Sequence, residues 1–246
     1  AASDVYKRQV WAFIQPVITV LLYWFVFEFG LHQKVNDLRT GIEVPFVLWL
    51  MGGLVPWFYF QEALNGGTGV LDEYSYLVKK VVFQIDALPV VKLISALFTH
   101  AFFVVFMLVV FAVMGFYPDL YVLQIVYYSF CMVILTAGLI YATSAVTVFF
   151  RDMKEVVAIL LQIGMWVTPI MWNFESMQGI PKWAVVLLKL NPMYYIVSGY
   201  RDALINKTAF WEHPGLTLWF WGITLFTLWA GTTVFKRLRV HFADVL

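Results

Sequence analysis

Apolar residues in this chain run in long unbroken stretches separated by short polar segments, without the period-2 alternation of barrel strands. Six stretches stand out: Val10 to Phe27, closed by Glu28; Val44 to about Phe60, running on past Glu62 to Leu64; Leu93 to Tyr117; Leu120 to Phe150; Val156 to Phe174; and Pro214 to Phe235. A helix rises about 1.5 Å per residue and a bilayer's hydrocarbon core is about 30 Å thick, so segments of this length read as membrane-spanning helices. The pattern predicts an all-α integral membrane protein with six transmembrane helices in a single domain, at about 10–28, 44–64, 93–117, 120–150, 156–174 and 214–235. The fourth run would be about 46 Å long as one helix, so it is expected to tilt or protrude.

The connections differ in character. Residues 29–43 form a polar loop, and Asn65-Gly66-Gly67-Thr68-Gly69 reads as a flexible helix break. Tyr117-Pro118-Asp119 makes a tight turn that pairs the third and fourth spans as an antiparallel hairpin. Arg151-Asp152-Met153-Lys154-Glu155 is a compact charged link. The longest connection holds a second apolar segment, from Trp183 to Leu204, interrupted at Asn191-Pro192. Pro192 removes an amide donor and disfavours helix at Asn191. Broken backbone at membrane depth survives only where protein shields it or water reaches it. Residues 183–204 are therefore read as two short helices that dip into one face of the membrane or lie on it. Tyr194, Tyr195, Tyr200 and Arg201 would face the interface.

Orientation follows from the lysine and arginine bias. With both termini inside, the inner side collects Lys7, Arg8, Lys79, Lys80, Lys92, Arg151, Lys154, Lys236, Arg237 and Arg239, against six such residues outside. The expectation is N-in, C-in.

Composition narrows function. The chain of 246 residues is 62% hydrophobic and 13% charged, against about 25% charged in soluble domains. A net charge of +1 makes no case for nucleic acid, and the single Cys131 excludes an intrachain disulfide. No cleavable signal is evident, and the opening Ala1-Ala2-Ser3-Asp4 fits poorly with the first apolar run, as a truncated or foreign start would. The glycine stretch at 65–69 lacks the lysine of a phosphate-binding loop. His32, His100, His213 and His241 are scattered, so no metal site is expected, and no Ser/His/Asp order indicates a catalytic residue. Any energy for transport would come from another chain or an ion gradient.

Several residues carry two readings. Glu62 sits beside Pro56-Trp57-Phe58-Tyr59-Phe60; a carboxylate near a span either caps or bonds to a neighbouring helix, or lines a pathway. Lys79 to Pro89 is amphipathic and lies between spans on the inner side. It is either an anchor on lipid headgroups or a short helix that docks into a partner's groove. Trp11, Tyr23, Trp166 and Trp172 either belong to interfacial belts or line a conduit where flat rings stack on sugar faces.

With these pieces in place the chain resembles the permease subunit of type 2 ABC transporters, in the branch that exports O-antigen, capsular polysaccharide and teichoic acid. The matching residues are Val10-Trp11-Ala12-Phe13-Ile14-Gln15-Pro16; Gly53-Leu54-Val55-Pro56-Trp57-Phe58 followed by Glu62-Ala63-Leu64; Leu77-Val78-Lys79-Lys80-Val81-Val82-Phe83 with Leu88-Pro89; Phe150-Arg151-Asp152-Met153-Lys154; Thr168-Pro169-Ile170; Leu190-Asn191-Pro192-Met193; Gly199-Tyr200-Arg201-Asp202; and the ending His241-Phe242-Ala243-Asp244. Where the family often has Pro-Arg/Lys-Glu after the coupling phenylalanine, this chain has Gln84-Ile85-Asp86. The resemblance implies a homodimer in the bacterial cytoplasmic membrane with two copies of a separate ATPase, which would hold the ATP and magnesium, this chain having no cofactor. It implies a glycan substrate on a polyprenyl carrier. It assigns ATPase coupling to Val78, Lys79, Lys80, Phe83, Asp86, Arg151 and Asp152, and an outer gate to Asn191, Pro192, Tyr194, Tyr195, Tyr200 and Arg201. Export of a drug or other small molecule is the alternative within the superfamily. A membrane-embedded lipid transferase would need clustered polar groups at one face, and a gradient-driven carrier would need paired intramembrane carboxylates.

Overall fold

A computed structural model of the chain describes residues 14–30, 35–36, 43–78, 84–173 and 179–245. It is an assembly of helices. The first, α1, spans Ile14–Gly30 and loosens into π-helical turns over Phe25–Gly30. A two-residue antiparallel pairing, β1 (Val35–Asn36) with β2 (Glu43–Val44), closes the loop after it. Then come α2 (Phe46–Thr68), the short α3 (Val70–Glu73) and α4 (Ser75–Val78), α5 (Ala87–Val113), α6 (Gln124–Phe149), α7 (Met153–Val167), α8 (Lys182–Leu190), α9 (Pro192–Arg201), α10 (Pro214–Leu238) and α11 (Phe242–Val245).

Three helices are long and apolar enough to cross a membrane: Ala87–Val113, Leu120–Phe149 and Pro214–His241. Their outward faces carry large exposed apolar side chains such as Phe98, Val105, Val126, Leu218 and Trp229, as lipid-facing helices do. At the centre lies α2. Of its 23 residues only Gln61, Glu62 and Asn65 are exposed. It packs on α5, α6, α7 and α9.

The boundaries differ from the sequence expectations in instructive ways. The third span begins at Ala87 and not Leu93, because Pro89 falls in the first turn, where a missing amide costs nothing. Residues 84–86 form a turn that leads directly into α5, so the segment predicted as a separate amphipathic helix contributes its last three residues to the span. The helix α2 continues through Gly66 and Gly67 to Thr68, and the break falls at Gly69. Ile140 fills the space where a Gly67 side chain would stand, so packing holds the glycine pair helical. The long fourth run divides into a short 3-10 turn and an α-helix. Asp119 accepts from the Tyr121 amide at 3.0 Å and caps a 3-10 turn over Leu120–Leu123, and the α-helix proper starts at Gln124. The fifth run stops at Val167, because Thr168 takes the extended conformation that a following proline imposes. At 15 residues it is about 22 Å long.

The tightest helix pair is α6 with α10. A side chain on Gly231 would collide with the Gly138 carbonyl oxygen, and a Cβ on Gly138 would lie 2.7 Å from the Leu228 nitrogen. Small residues at a crossing let backbones approach, which is how packing is won where lipid supplies no hydrophobic drive.

Two ends of the bundle are chemically distinct. At one, α3 and the starts of α5 and α7 meet the end of α10. Lys154 pairs with Asp72 at 2.6 Å, Lys92 with Glu73 at 2.7 Å, and Arg239 with Asp86. Beneath these pairs sits a small core of Val70, Leu71, Leu88, Ala145, Val148, Phe235 and Phe242. At the other end Lys207 pairs with Asp119 at 3.1 Å, and the Gln124 amide bridges the Thr208 carbonyl and the Phe210 amide.

Candidate functional site: a polar cavity and a broken helical hairpin

The interruption at Asn191-Pro192 separates α8 from α9, as the proline dictates. Its exposed backbone groups are met inside the chain. The Asn191 Oδ1 accepts from the Met193 amide at 3.0 Å and caps α9, while its Nδ2 donates to Thr168 Oγ1 at 2.8 Å. The Trp219 indole donates to the Leu190 carbonyl at 3.0 Å. Asn191, Pro192 and Met193 border an apolar cavity of about 240 Å³ together with Trp57, Leu135, Val157 and Leu161 of the long helices. The junction is therefore held against the middle of the bundle, with its polar backbone satisfied.

The residues of α9 are buried, which fits a helix that dips into the bundle and not one that rests on the interface. Tyr194, Tyr195, Tyr200 and Arg201 all have less than a tenth of their surface exposed. The Tyr200 hydroxyl meets Ser129 Oγ at 2.7 Å and His100 Nε2 at 2.8 Å, in the interior of α6 and α5. Tyr195 joins Tyr127 and Thr217 through its hydroxyl and stacks on Phe220. Arg201 donates to the carbonyls of Pro169 and Ile170, both at 2.7 Å, and to Trp49 at 3.3 Å, with its guanidinium over the Trp49 ring. Those carbonyls are freed by the end of α7, and Gly52-Gly53 on α2 leave the room: a Cβ at Gly53 would stand 2.8 Å from an Arg201 nitrogen. The physical reason for this burial is a hydrogen-bonding demand. The broken end of α7 presents carbonyls in an apolar surrounding, and Arg201 is the donor fork that meets them.

On the other side of α2 lies a cavity of about 420 Å³. Helix α1 contributes Gln15, Pro16, Thr19 and Tyr23; α2 contributes Phe58, Gln61, Glu62 and Asn65; α5 contributes Thr99, His100 and Phe103. Residues 58, 61, 62 and 65 have the spacing that puts them on one helix face. Glu62 accepts from the Thr99 hydroxyl at 3.5 Å, and among the described residues it makes no ion pair. A charge left against lipid would cost about 2.5–3.5 kcal/mol, so this face belongs to water, a ligand or another protein surface.

Of the channel residues predicted from sequence, Tyr23 and Glu62 come together here. Trp166 is largely exposed on α7, and Trp172 donates its indole to the Trp166 carbonyl at 2.9 Å, away from the cavity. Trp11 lies outside the described residues. So do Lys79, Lys80 and Phe83 of the coupling set, and Val78 is described by its backbone alone, at the end of α4. Asp86 pairs with Arg239 and its carbonyl accepts from the Tyr141 hydroxyl at 3.0 Å, while Arg151 and Asp152 form the exposed turn between α6 and α7. Sequence reasoning missed Gln61, Asn65, Gln15 and Thr99. The signal available was the polar spacing at 61, 62 and 65 in a run otherwise apolar. Among the described residues no cluster of His, Cys, Asp and Glu could hold a metal ion.

A helical bundle with long apolar helices and large apolar side chains on its outer faces is that of an integral membrane protein. The sequence pattern of the family described as ABC-2 type transporter matches residues 3–205, and the chain belongs to that family. Among curated proteins it is similar to the O-antigen export system permease protein RfbA of Myxococcus xanthus, 25% identical over 235 residues, covering 96% of this chain and 86% of that protein. A protein of the same name from Klebsiella pneumoniae is 25% identical over 242 residues, again 96% and 86% covered. The polysialic acid transport protein KpsM of Escherichia coli is 26% identical over 229 residues, covering 92% of this chain and 84% of the relative.

Proposed function

We propose that this chain is the membrane subunit of an ATP-driven exporter of polysaccharide carried on a polyprenyl lipid across the bacterial cytoplasmic membrane. Family membership and the names of the relatives support the exporter class and the glycan cargo. The observation that carries the reading in the molecule itself is the cavity between α1, α2 and α5, where amide, hydroxyl and carboxylate side chains stand among apolar ones although the walls are apolar helices.

In this reading all six predicted spans cross the membrane, with α2 and α7 as the second and fifth. The end holding Asp72–Lys154, Glu73–Lys92 and Asp86–Arg239 faces the cytoplasm. Residues 75–78, 84–90 and 151–155 lie at that end, where two copies of a separate ATPase would dock on a homodimer of this chain. Nucleotide closure of the ATPases would be transmitted through the coupling segment, and the hairpin of α8 and α9 would open the outer face.

The decisive measurement is copurification of the chain with an ATPase encoded beside it, followed by ATP hydrolysis in liposomes. A complex of two and two, with hydrolysis stimulated by the membrane subunit, is the expected result. Phe83→Asp is expected to abolish both copurification and surface polymer; an intact complex with normal export would remove Phe83 from the coupling role. Unchanged surface polymer in a deletion strain that instead becomes drug-sensitive would replace the glycan with a small molecule.

A further inference from the structure

We infer that the cavity between α1, α2 and α5 is a subsite for uncharged sugar units, and that Glu62 is the residue that disfavours anionic ones. The inference rests on the polysaccharide-export reading and adds the chemistry of the cargo.

Three amide side chains, Gln15, Gln61 and Asn65, open into the cavity with the hydroxyls of Thr19, Tyr23 and Thr99. Amides and hydroxyls offer donors and acceptors side by side, which is what the hydroxyl rim of a sugar ring presents. The Tyr23 ring on α1 and the Phe58 ring on α2 give flat apolar surfaces for a sugar's C–H face.

Charge decides what the site refuses. Among the described residues neither lysine nor arginine lines the cavity, so none of them offers a diphosphate a counter-charge there. Three of the cations at the charged end of the bundle, Lys92, Lys154 and Arg239, are engaged by Glu73, Asp72 and Asp86. Among the described residues that line the cavity the one carboxylate is Glu62, which no described cation neutralises. Glu62 lies six residues before the end of α2, about 9 Å along the helix. A carboxylated sugar entering from the charged end would therefore meet a like charge early in its passage, and like charges brought together in a poorly screened site repel strongly.

The test uses the chain in complex with its ATPase in lipid nanodiscs, with Asn65→Cys on α2 and, separately, Thr19→Cys on the facing α1. A water-soluble thiosulfonate reports access. The sole native cysteine, Cys131, is fully buried and sets the background. Maltoheptaose is expected to slow labelling at both positions by about tenfold, the factor that roughly 1.4 kcal/mol produces. A sialic acid trimer at equal concentration is expected to leave labelling unchanged, and to protect once Glu62→Gln is added. The subsite falls if neither cysteine is labelled, if maltoheptaose gives no protection, or if the sialic acid trimer protects with Glu62 in place. Failure of the ATPase to copurify removes the exporter reading and the subsite with it. Copurification and membrane-stimulated hydrolysis without protection remove the subsite alone.

Discussion

The two polar regions within this bundle are built on opposite terms. Around α9, polar groups close on one another: Asn191 on Met193 and Thr168, Tyr200 on Ser129 and His100, Arg201 on three carbonyls. Along α2, Gln61, Glu62 and Asn65 face outward into a cavity, and the only described partner of the Glu62 carboxylate is a hydroxyl at 3.5 Å. The first arrangement fixes a shape, because every buried donor it leaves unmet would cost free energy. The second leaves hydrogen-bonding capacity open to whatever enters. Polar residues at membrane depth thus divide into those committed to architecture and those available for function, and the division is read from their partners.

Substitutions can break this contrast. Arg201→Met should have the largest effect, leaving the Pro169 and Ile170 carbonyls without donors in an apolar site. The expected loss is about 1–3 kcal/mol for each carbonyl left unmet, seen as a chain that fails to accumulate or melts far earlier in detergent. Gly231→Val forces α6 and α10 apart where they touch and should cost about 1–3 kcal/mol or more, with Gly138→Val behaving alike. Tyr200→Phe keeps the ring and removes one hydroxyl from the Ser129–His100 cluster, for about 1–3 kcal/mol in thermal unfolding. Asp86→Asn breaks an exposed pair with Arg239 and should cost under about 1 kcal/mol, less at high salt. Glu62→Gln should be smallest in stability, within about 0.5 kcal/mol, since its side chain packs against little. A large loss of stability at Glu62, or none at Arg201, would erase the distinction between the two regions.

Much of the helical frame was legible in the sequence because lipid demands long apolar runs with satisfied backbone. The interruption at Asn191-Pro192 was legible because proline acts locally, whereas the third helix ends at Val113 and the chain turns at Met114-Gly115, where Gly115 takes a φ of 86°, ahead of the predicted Tyr117-Pro118-Asp119. The gathering of Lys92, Lys154 and Arg239 at one end followed from charge placement. What local rules could not reach were contacts set by distant chain. The burial of Arg201 depends on carbonyls at 49, 169 and 170 and on the gap left by Gly52-Gly53, and spacing within its own helix gives no hint of them. Thr168-Pro169 did mark the end of α7, yet the apolar residues after it hid the signal. In the candidate site, Glu62 stood out as a charge, while Gln61 and Asn65 passed as ordinary polar residues until α1 and α5 were seen to face them.

The three carbonyls gathered by Arg201 also impose an order on how the protein comes into being. The chain is made from its N-terminus, and Trp49 precedes its guanidinium partner by 152 residues, Ile170 by 31. When α2 and α7 have left the ribosome, the seat between them is complete in outline and empty of its donor. Assembly of this part of the bundle therefore finishes only when α9 arrives, and a nascent chain cut short before residue 201 holds helices whose broken ends have nothing to close them.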